Sequence, residues 1–222
     1  MIYADRREAG RVLARELASY RRRKDVLVLA LPRGGVPVAF EIAAALQAPL
    51  DVMVVRKLGY PGQEELAMGA IASGGGIVYN EELLSQVNIP ESTIEEVVRR
   101  ERVELARREK LYRDDRPPID VRGKTLILVD DGLATGSTML AAVEAVRQQS
   151  PSRIIVAAPV APPETIEMFH SVVDEIVCPA TPSRFGGVGK WYRNFTQTSD
   201  EEVRQLLQRA AASQSEPTTP AA

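Results

Sequence analysis

Predominantly apolar runs of strand length recur along the chain, and segments with apolar residues at helical spacing lie between them. The runs are 25–31, 49–55, 125–130, 153–160 and 172–178. The helical patterns are 5–23, 36–47, 138–149 and 162–169. Strands with little polar alternation are typical of parallel sheets that are buried on both faces. We therefore predict an α/β fold built on a doubly wound, mostly parallel sheet with helices on both sides.

The middle of the chain, 58–118, departs from this alternation. Its first part predicts a short hairpin around 74–76, where three glycines stand in a row. Residues 91–116 contain eight acidic and eight basic residues, several of them as Glu–Arg pairs four positions apart, which favours a solvated helix. That helix is either a surface helix over the sheet or the arm of a lid.

This pattern predicts one domain over 1–205. Within it, 58–118 forms a flexible loop followed by the charged helical insertion. The remaining residues, 206–222, are expected to be the end of a helix and a disordered tail, because the last residues are low in complexity.

Charge and composition exclude several classes of function. Lys and Arg total 28 against 30 Asp and Glu, so nothing suggests a general nucleic-acid binder. No apolar run approaches the ~20 residues of a membrane span, and the start lacks the apolar segment of a secretory signal, so we expect a cytoplasmic protein without a membrane partner. The chain has one cysteine, Cys178, and one histidine, His170. A single residue of each type argues against a disulfide framework and against a His/Cys metal site.

The strongest candidate site is the stretch LILVDDGLATGST at 126–138. Asp130 and Asp131 follow a predicted strand, and ligands of open α/β sheets bind at the carboxyl ends of strands. Adjacent carboxylates need donors, water or a cation, and vicinal ribose hydroxyls are suitable donors. The following turn is rich in glycines and hydroxyl groups, and it begins a helix whose free N–H groups favour an anion. These features together suit a sugar 5-phosphate.

Other phosphate motifs fit less well. The nucleoside-triphosphate loop requires a longer spacing and a lysine, and the dinucleotide fingerprint is absent from the strand–helix turns. A phosphoaspartate enzyme would want its acids one residue apart, and position 132 is glycine. A purely structural turn is disfavoured, because unpaired double acids are rare at the ends of buried strands.

The stretch VDDGLATGST resembles the phosphoribosyl pyrophosphate (PRPP) motif of the type I phosphoribosyltransferases, in which an apolar strand, two acids and a short turn precede Thr-Gly-x-Thr. The resemblance implies transfer of the 5-phosphoribosyl group of PRPP to a nitrogen acceptor such as a nucleobase, with release of pyrophosphate. It also implies Mg²⁺ carried by PRPP, with no direct protein ligand, a homodimer and a role in nucleotide salvage. Asp130 and Asp131 would hold the ribose hydroxyls, and 134–138 would bind the 5-phosphate. The implied PRPP-binding residues are Asp130, Asp131, Gly132, Ala134, Thr135, Gly136, Ser137 and Thr138.

The same resemblance implies a pyrophosphate site after the first two strands. Arg33, Gly34 and Gly35 stand where the family has its pyrophosphate loop, and Arg56 and Lys57 end the second strand. The implied catalytic residues are Arg33 and Lys57, which would stabilise the leaving group, and Asp131, which would place the sugar. An ordinary glycine turn and an ordinary surface pair of cations are the alternatives.

Two further segments could serve the acceptor. A mobile loop near 59–62 would close over the reacting centre, and Glu64 and Glu65 beyond it are either structural or meet the incoming base. Residues 179–198 form a possible hood. Its rings, Phe185, Trp191 and Tyr192, either stack on the acceptor or pack against the core or a dimer face.

The acceptor itself is left open by the sequence. The 6-oxopurine enzymes usually have an Asp before the Thr-Gly pair, whereas this chain has Ala134, and it has no lysine at 137. The sequence LATG at 133–136 is more similar to that of the adenine-specific members of the family. A non-catalytic regulatory protein that binds PRPP or a nucleotide is the alternative function, and an interaction protein that uses helix 91–116 is a more remote one.

Overall fold

The computed structural model describes residues 1–87, 89–114 and 116–215. The strands are β1 (Val26–Ala30), β2 (Leu50–Val52), β3 (Val55–Tyr60), β4 (Gln63–Ala72), β5 (Ile77–Tyr79), β6 (Thr125–Val129), β7 (Arg153–Ala157) and β8 (Glu175–Val177). The helices are α1 (Arg6–Glu16), α2 (Gly35–Leu46), α3 (Glu81–Gln86), α4 (Glu91–Arg113), α5 (Ser137–Arg147), α6 (Pro163–His170) and α7 (Asp200–Ser215). The tail predicted to be disordered lies, over 216–222, outside the described residues.

The central sheet confirms the predicted fold class. Its five strands are all parallel and stand in the order β2-β1-β6-β7-β8. All residues of β1 and β6 are buried, as their continuous apolar runs predict. One apolar cluster joins this sheet to α1, α2 and α7, and a second joins its other face to α5 and α6. Helices of the described ranges are too polar or too short to traverse a lipid bilayer.

Several elements end earlier than the apolar pattern predicts. The first helix ends at Glu16, and a short 3₁₀ turn, Ala18–Tyr20, replaces its predicted last part. The strand predicted over 49–55 ends at Val52 as β2, and Val55 begins β3, which belongs to a different sheet. The predicted charged helix ends at Arg113.

A second, antiparallel sheet in the order β3-β4-β5 occupies the departing middle of the chain. The turn between β4 and β5 includes 74–76, as predicted. A mobile loop was expected near 59–62, whereas residues 59 and 60 lie in β3 and only the tight turn at 61–62 separates β3 from β4. The glycines that suggested a loop instead allow register shifts beside Gly59 and a positive φ of 81° at Gly62.

The charged helix α4 packs its thin apolar stripe onto this second sheet and onto α7. Its end is attached to β2 by a buried ion pair in which Arg113 Nε lies 2.8 Å from Asp51 Oδ1. The structure therefore favours a surface helix that covers the sheet.

The pairing of β1 with β6 positions the candidate site. Ala30 is paired with Val129, so both strands end at the same edge of the sheet. The loops that follow them are 31–34 and 130–136, and they leave that edge side by side.

Candidate active site

The loop after β1 contacts the acid pair after β6 directly. A Cβ atom added to Gly34 would lie 2.1 Å from Asp131 Oδ2, and one added to Gly35 would lie 2.5 Å from Val129 O. Gly34 has φ −60°, so the close approach of the carboxylate, and not an unusual dihedral, excludes a larger residue. The peptide bond before Arg33 in this loop is cis. The candidate pyrophosphate loop and the candidate ribose acids thus belong to one site.

The two acids are held differently. Asp130 Oδ1 accepts a hydrogen bond from the backbone N–H of Asp131 at 2.8 Å, and Asp130 lines a cleft of about 190 Å³. Asp131 Oδ2 accepts one from Arg6 Nε at 2.7 Å, and both side chains are largely buried. Arg6 was not among the residues that the sequence singled out, because 125 positions separate it from its partner.

Burial raises the pKa of both carboxyl groups. The pKa of Asp130 lies well above its ordinary value, first because of burial and then because the Asp131 charge is adjacent. Burial also raises the pKa of Asp131, while the Arg6 guanidinium acts in the opposite direction. Both carboxyl groups therefore lose their protons less readily than a free aspartate does, and Arg6 of α1 is the cation beside them that favours the charged form.

The turn after the acids forms a cradle at the start of α5. The same cleft of about 190 Å³ is lined by residues of this turn, by the first residues of α5 and by Val188. Gly136 has φ +74°, and a Cβ there would lie 2.8 Å from Cε2 of Phe169 on α6. The Thr135 and Ser137 hydroxyls are 2.9 Å apart at the cleft. Backbone amides at a helix start and hydroxyl donors suit a phosphate group.

Helix α6 holds the cradle through the Thr165 hydroxyl, which donates a hydrogen bond to Ala134 O at 2.7 Å. We expect Thr165→Val to lower the free energy of unfolding by about 1–2 kcal/mol, because a carbonyl loses its buried donor. The affinity for inorganic phosphate should fall modestly, since the loop is no longer held from α6. Chemical denaturation and phosphate titration measure both effects. Ser171→Ala removes an exposed hydroxyl bonded to Met168 O and is the matched control; equal losses in both variants would contradict the anchoring role.

The three cations predicted to bind pyrophosphate, Arg33, Arg56 and Lys57, have different surroundings in the structure. Lys57 is exposed and lines a cleft of about 440 Å³ with Ser137 and Thr138. Arg56 lies on the opposite face of β3, where its Nη2 is 2.7 Å from Glu101 Oε2 of α4. Successive side chains of a strand alternate between faces, so the expected joint contact of Arg56 and Lys57 with one ligand is not what the structure shows. Arg33 Nη1 lies 3.8 Å from Asp200 Oδ1, at the start of α7.

The candidate acceptor rings also differ from one another. Tyr192 is buried, and its hydroxyl donates to the backbone O of Asp131 at 2.6 Å, so this ring presents no free face to an acceptor. Burial first, and then the Asp131 charge, raise its pKa. Trp191 Nε1 donates to Phe185 O at 3.0 Å, and both of these rings are only partly buried. Val188, which the sequence did not single out, lies against Gly132 at the cleft.

Mg²⁺ that enters bound to a phosphorylated substrate would not require a cluster of protein ligands. Among the described residues, no group of three or more His, Cys, Asp or Glu side chains could hold a metal. Mg²⁺ is usually bound by substrate phosphates, waters and at most one or two carboxylates, so a protein cage is not required.

Comparisons with known proteins agree with this geometry. A family model described as the phosphoribosyl transferase domain matches residues 2–189. Two proteins from strains of Mycobacterium tuberculosis, provisionally named phosphoribosyl transferases, are each 47% identical over 209 residues. The match covers 94% of this chain but 47% of each relative, so the chain spans about half their length. A crystal structure of TT1426 from Thermus thermophilus shares 41% identity, with a TM-score of 0.83 over 94% of this chain and 99% of that one.

Proposed function

Since this chain belongs to the phosphoribosyl transferase domain family, we propose that it transfers the 5-phosphoribosyl group of PRPP to a nitrogen of a nucleobase, releasing pyrophosphate. The observation that carries the proposal is the contact of Gly34 with the Asp131 carboxylate. This contact brings the loop after β1, which suits pyrophosphate, beside the acid pair, which suits a diol. The cradle, which suits a 5-phosphate, follows the acid pair at the same edge of the sheet. PRPP carries these three groups around one ring.

The sugar is held at both ends. Asp130 and Asp131 accept hydrogen bonds from the ribose 2- and 3-hydroxyls, and the amides and hydroxyls of 134–138 bind the 5-phosphate. Fixing both ends places C1 at a defined position between the leaving group and the acceptor. Such placement contributes a large part of the rate enhancement for a reaction that asks little covalent chemistry of the protein.

The leaving group is stabilised by charge. The C1–O bond breaks with its electron pair going to pyrophosphate, the acceptor nitrogen bonds to C1 from the opposite face, and the proton that this nitrogen carried passes to water. Arg33, the amide of Gly34 and Lys57 stabilise the negative charge that develops on pyrophosphate, whereas the amide of Gly35 already donates to Leu31 O at 3.1 Å. Mg²⁺ bound to the substrate would neutralise part of the same charge. Because the Arg33–Asp200 pair is long, at 3.8 Å, and partly exposed, its loss on binding costs little.

The acceptor lies, on this proposal, between the phosphate cradle and the hood. Phe185 and Trp191 are the partly buried rings of that segment, and Val188 adds an apolar contact beside Gly132. An apolar platform of this kind selects planar rings without distinguishing closely among them. The identity of the base is therefore a matter for a substrate panel.

The proposal is tested by measuring pyrophosphate release from PRPP and Mg²⁺ with a panel of purine and pyrimidine bases. Stoichiometric formation of a nucleoside monophosphate and pyrophosphate is the expected result. PRPP binding without turnover of any base would support the non-catalytic alternative. No binding of PRPP at all would overturn the proposed function.

Lys57→Ala tests the assignment of the leaving-group cation. We expect kcat to fall about 10-fold, with a smaller change in the dissociation constant for PRPP, because the cation acts on charge that develops in the transition state. Steady-state kinetics and calorimetry separate the two effects. Lys24→Ala removes an exposed lysine at the amino end of β1 and should behave like the wild type. Equal kinetics of the two variants would contradict a catalytic role for Lys57.

A further inference from the structure

The Arg6 guanidinium makes two hydrogen bonds and one contact with an aromatic ring. Its Nε donates to Asp131 Oδ2 at 2.7 Å, its Nη1 donates to Thr196 O at 2.8 Å, and its carbon lies 4.0 Å from the ring centroid of Phe195. The side chain is only 11% exposed. Asp5 caps α1 by accepting from the N–H of Glu8, so Arg6 is the first residue of a defined helix.

The segments that hold Arg6 are themselves paired. Tyr3 N–H donates to Trp191 O, and Arg193 N–H donates to Tyr3 O, each at 2.8 Å. Tyr192, between them, is stacked on Phe195 at 5.0 Å and donates to Asp131 O. The start of the chain, the 191–196 segment and the acid pair therefore form one connected unit.

We infer that Arg6 is a positioning residue of the ribose site, which keeps Asp131 ionised and fixes the direction of its carboxylate toward the diol. The inference rests on the proposed function, because the diol is that of PRPP. The charged or titratable groups facing Asp131 are Arg6 from α1, the adjacent Asp130, and Tyr192 from the C-terminal segment, while the loop before α2 places Gly34 against it. Arg6 is the cation among them, so it opposes both the burial and the like charge.

An arginine suits this position in a way that a lysine does not. Its planar fork donates to a carboxylate and to a backbone carbonyl at once, while its face lies on an aromatic ring. A lysine would restore the positive charge but not the second hydrogen bond or the flat contact. The conservative replacement therefore separates the charge from the geometry.

The test compares PRPP binding by the wild type, Arg6→Gln and Arg6→Lys, measured by calorimetry between about pH 5 and pH 9, above the ordinary carboxyl pKa. We expect Arg6→Gln to weaken binding about 30-fold at neutral pH. The pH below which binding is lost should also rise, because Asp131 becomes harder to ionise. Arg6→Lys should recover the pH profile in large part and the affinity only in part.

Arg7→Gln is the matched control. Arg7 is the next residue of α1, its Nη1 lies 3.6 Å from Glu41 Oε1, and its side chain is 38% exposed. This variant should bind PRPP as the wild type does. Equal affinity and an equal pH profile in Arg6→Gln and Arg7→Gln would overturn the inference. Tighter binding by Arg6→Gln would also overturn it, since Arg6 would then be a competitor of the diol.

A second measurement separates this inference from the proposed function. The titration of Asp131 can be followed by carboxyl ¹³C NMR in the free protein, without any substrate. A higher pKa for Asp131 in Arg6→Gln than in the wild type supports the ionising role, and an unchanged pKa refutes it. Failure of the wild type to bind PRPP, by contrast, refutes the proposed function whatever the titration shows.

Discussion

Replacing Asp130 with asparagine is expected to weaken PRPP binding about 100-fold while making the folded protein more stable at neutral pH. Hydrogen bonds to charged groups contribute about 1.5–3 kcal/mol each, and about 1.4 kcal/mol corresponds to a tenfold change in affinity. The amide keeps an oxygen for the N–H of Asp131, which Asp130 Oδ1 accepts at 2.8 Å. The variant therefore loses mainly the negative charge offered to the ribose hydroxyls.

The gain in stability follows from the direction of the pKa shift. Burial and the Asp131 charge raise the pKa of Asp130 well above its ordinary value, so the folded state binds this proton more tightly than the unfolded state does. The free energy of unfolding of the wild type therefore falls as pH rises from the ordinary carboxyl pKa through the raised one. An asparagine has no proton to lose, so the difference between variant and wild type should grow with pH over that window.

Chemical denaturation at several pH values and PRPP calorimetry check the two effects together. Asp120→Asn is the matched control, because this exposed carboxylate accepts from the N–H of Arg122 and precedes the amino end of β6, whereas the acid pair follows the carboxyl end of that strand. It should change neither the binding nor the pH dependence of stability appreciably. A loss of stability in Asp130→Asn with unchanged PRPP affinity would mean that the carboxylate is structural and would count against the ribose assignment.

Gly34→Ala is expected to reduce PRPP affinity at least as strongly. The new Cβ would lie 2.1 Å from Oδ2 and 2.6 Å from Cγ of Asp131, so the loop and the carboxylate must separate. Residue 34 has φ −60° and ψ −35°, which alanine adopts freely, and the effect is therefore steric alone. Overpacking of this kind typically costs about 1–3 kcal/mol of stability.

A control of comparable cost distinguishes lost binding from lost stability. Gly123→Ala introduces a side chain at φ +69° with nothing within 4 Å of the new Cβ. Its expected cost is about 1–2 kcal/mol, from the left-handed backbone conformation. Both variants should therefore unfold more easily, but only Gly34→Ala should lose PRPP. Equal PRPP affinities in the two variants would contradict the joined site.

Some of the candidate site could have been refined without coordinates. Arg56 and Lys57 are neighbours in a strand, so strand alternation alone places them on opposite faces, and the structure indeed pairs Arg56 with Glu101 and leaves Lys57 beside Ser137. The burial of Tyr192, by contrast, could not be predicted from the sequence. Aromatic residues among glycines are compatible with a stacking platform and with a buried support, and only packing decides between the two.

The sequence by itself determined the class of fold and the place of the acid pair. Apolar runs and helical spacing depend on neighbours within a few residues, so the order of strands and helices and the edge reached by Asp130 and Asp131 could be predicted locally. Only the tertiary structure decided that Gly34 lies against Asp131 and that Arg6 reaches the same carboxylate from 125 positions away. The physical reason is that such contacts depend on how strands and terminal segments are brought together in space, and local patterns carry no record of that arrangement.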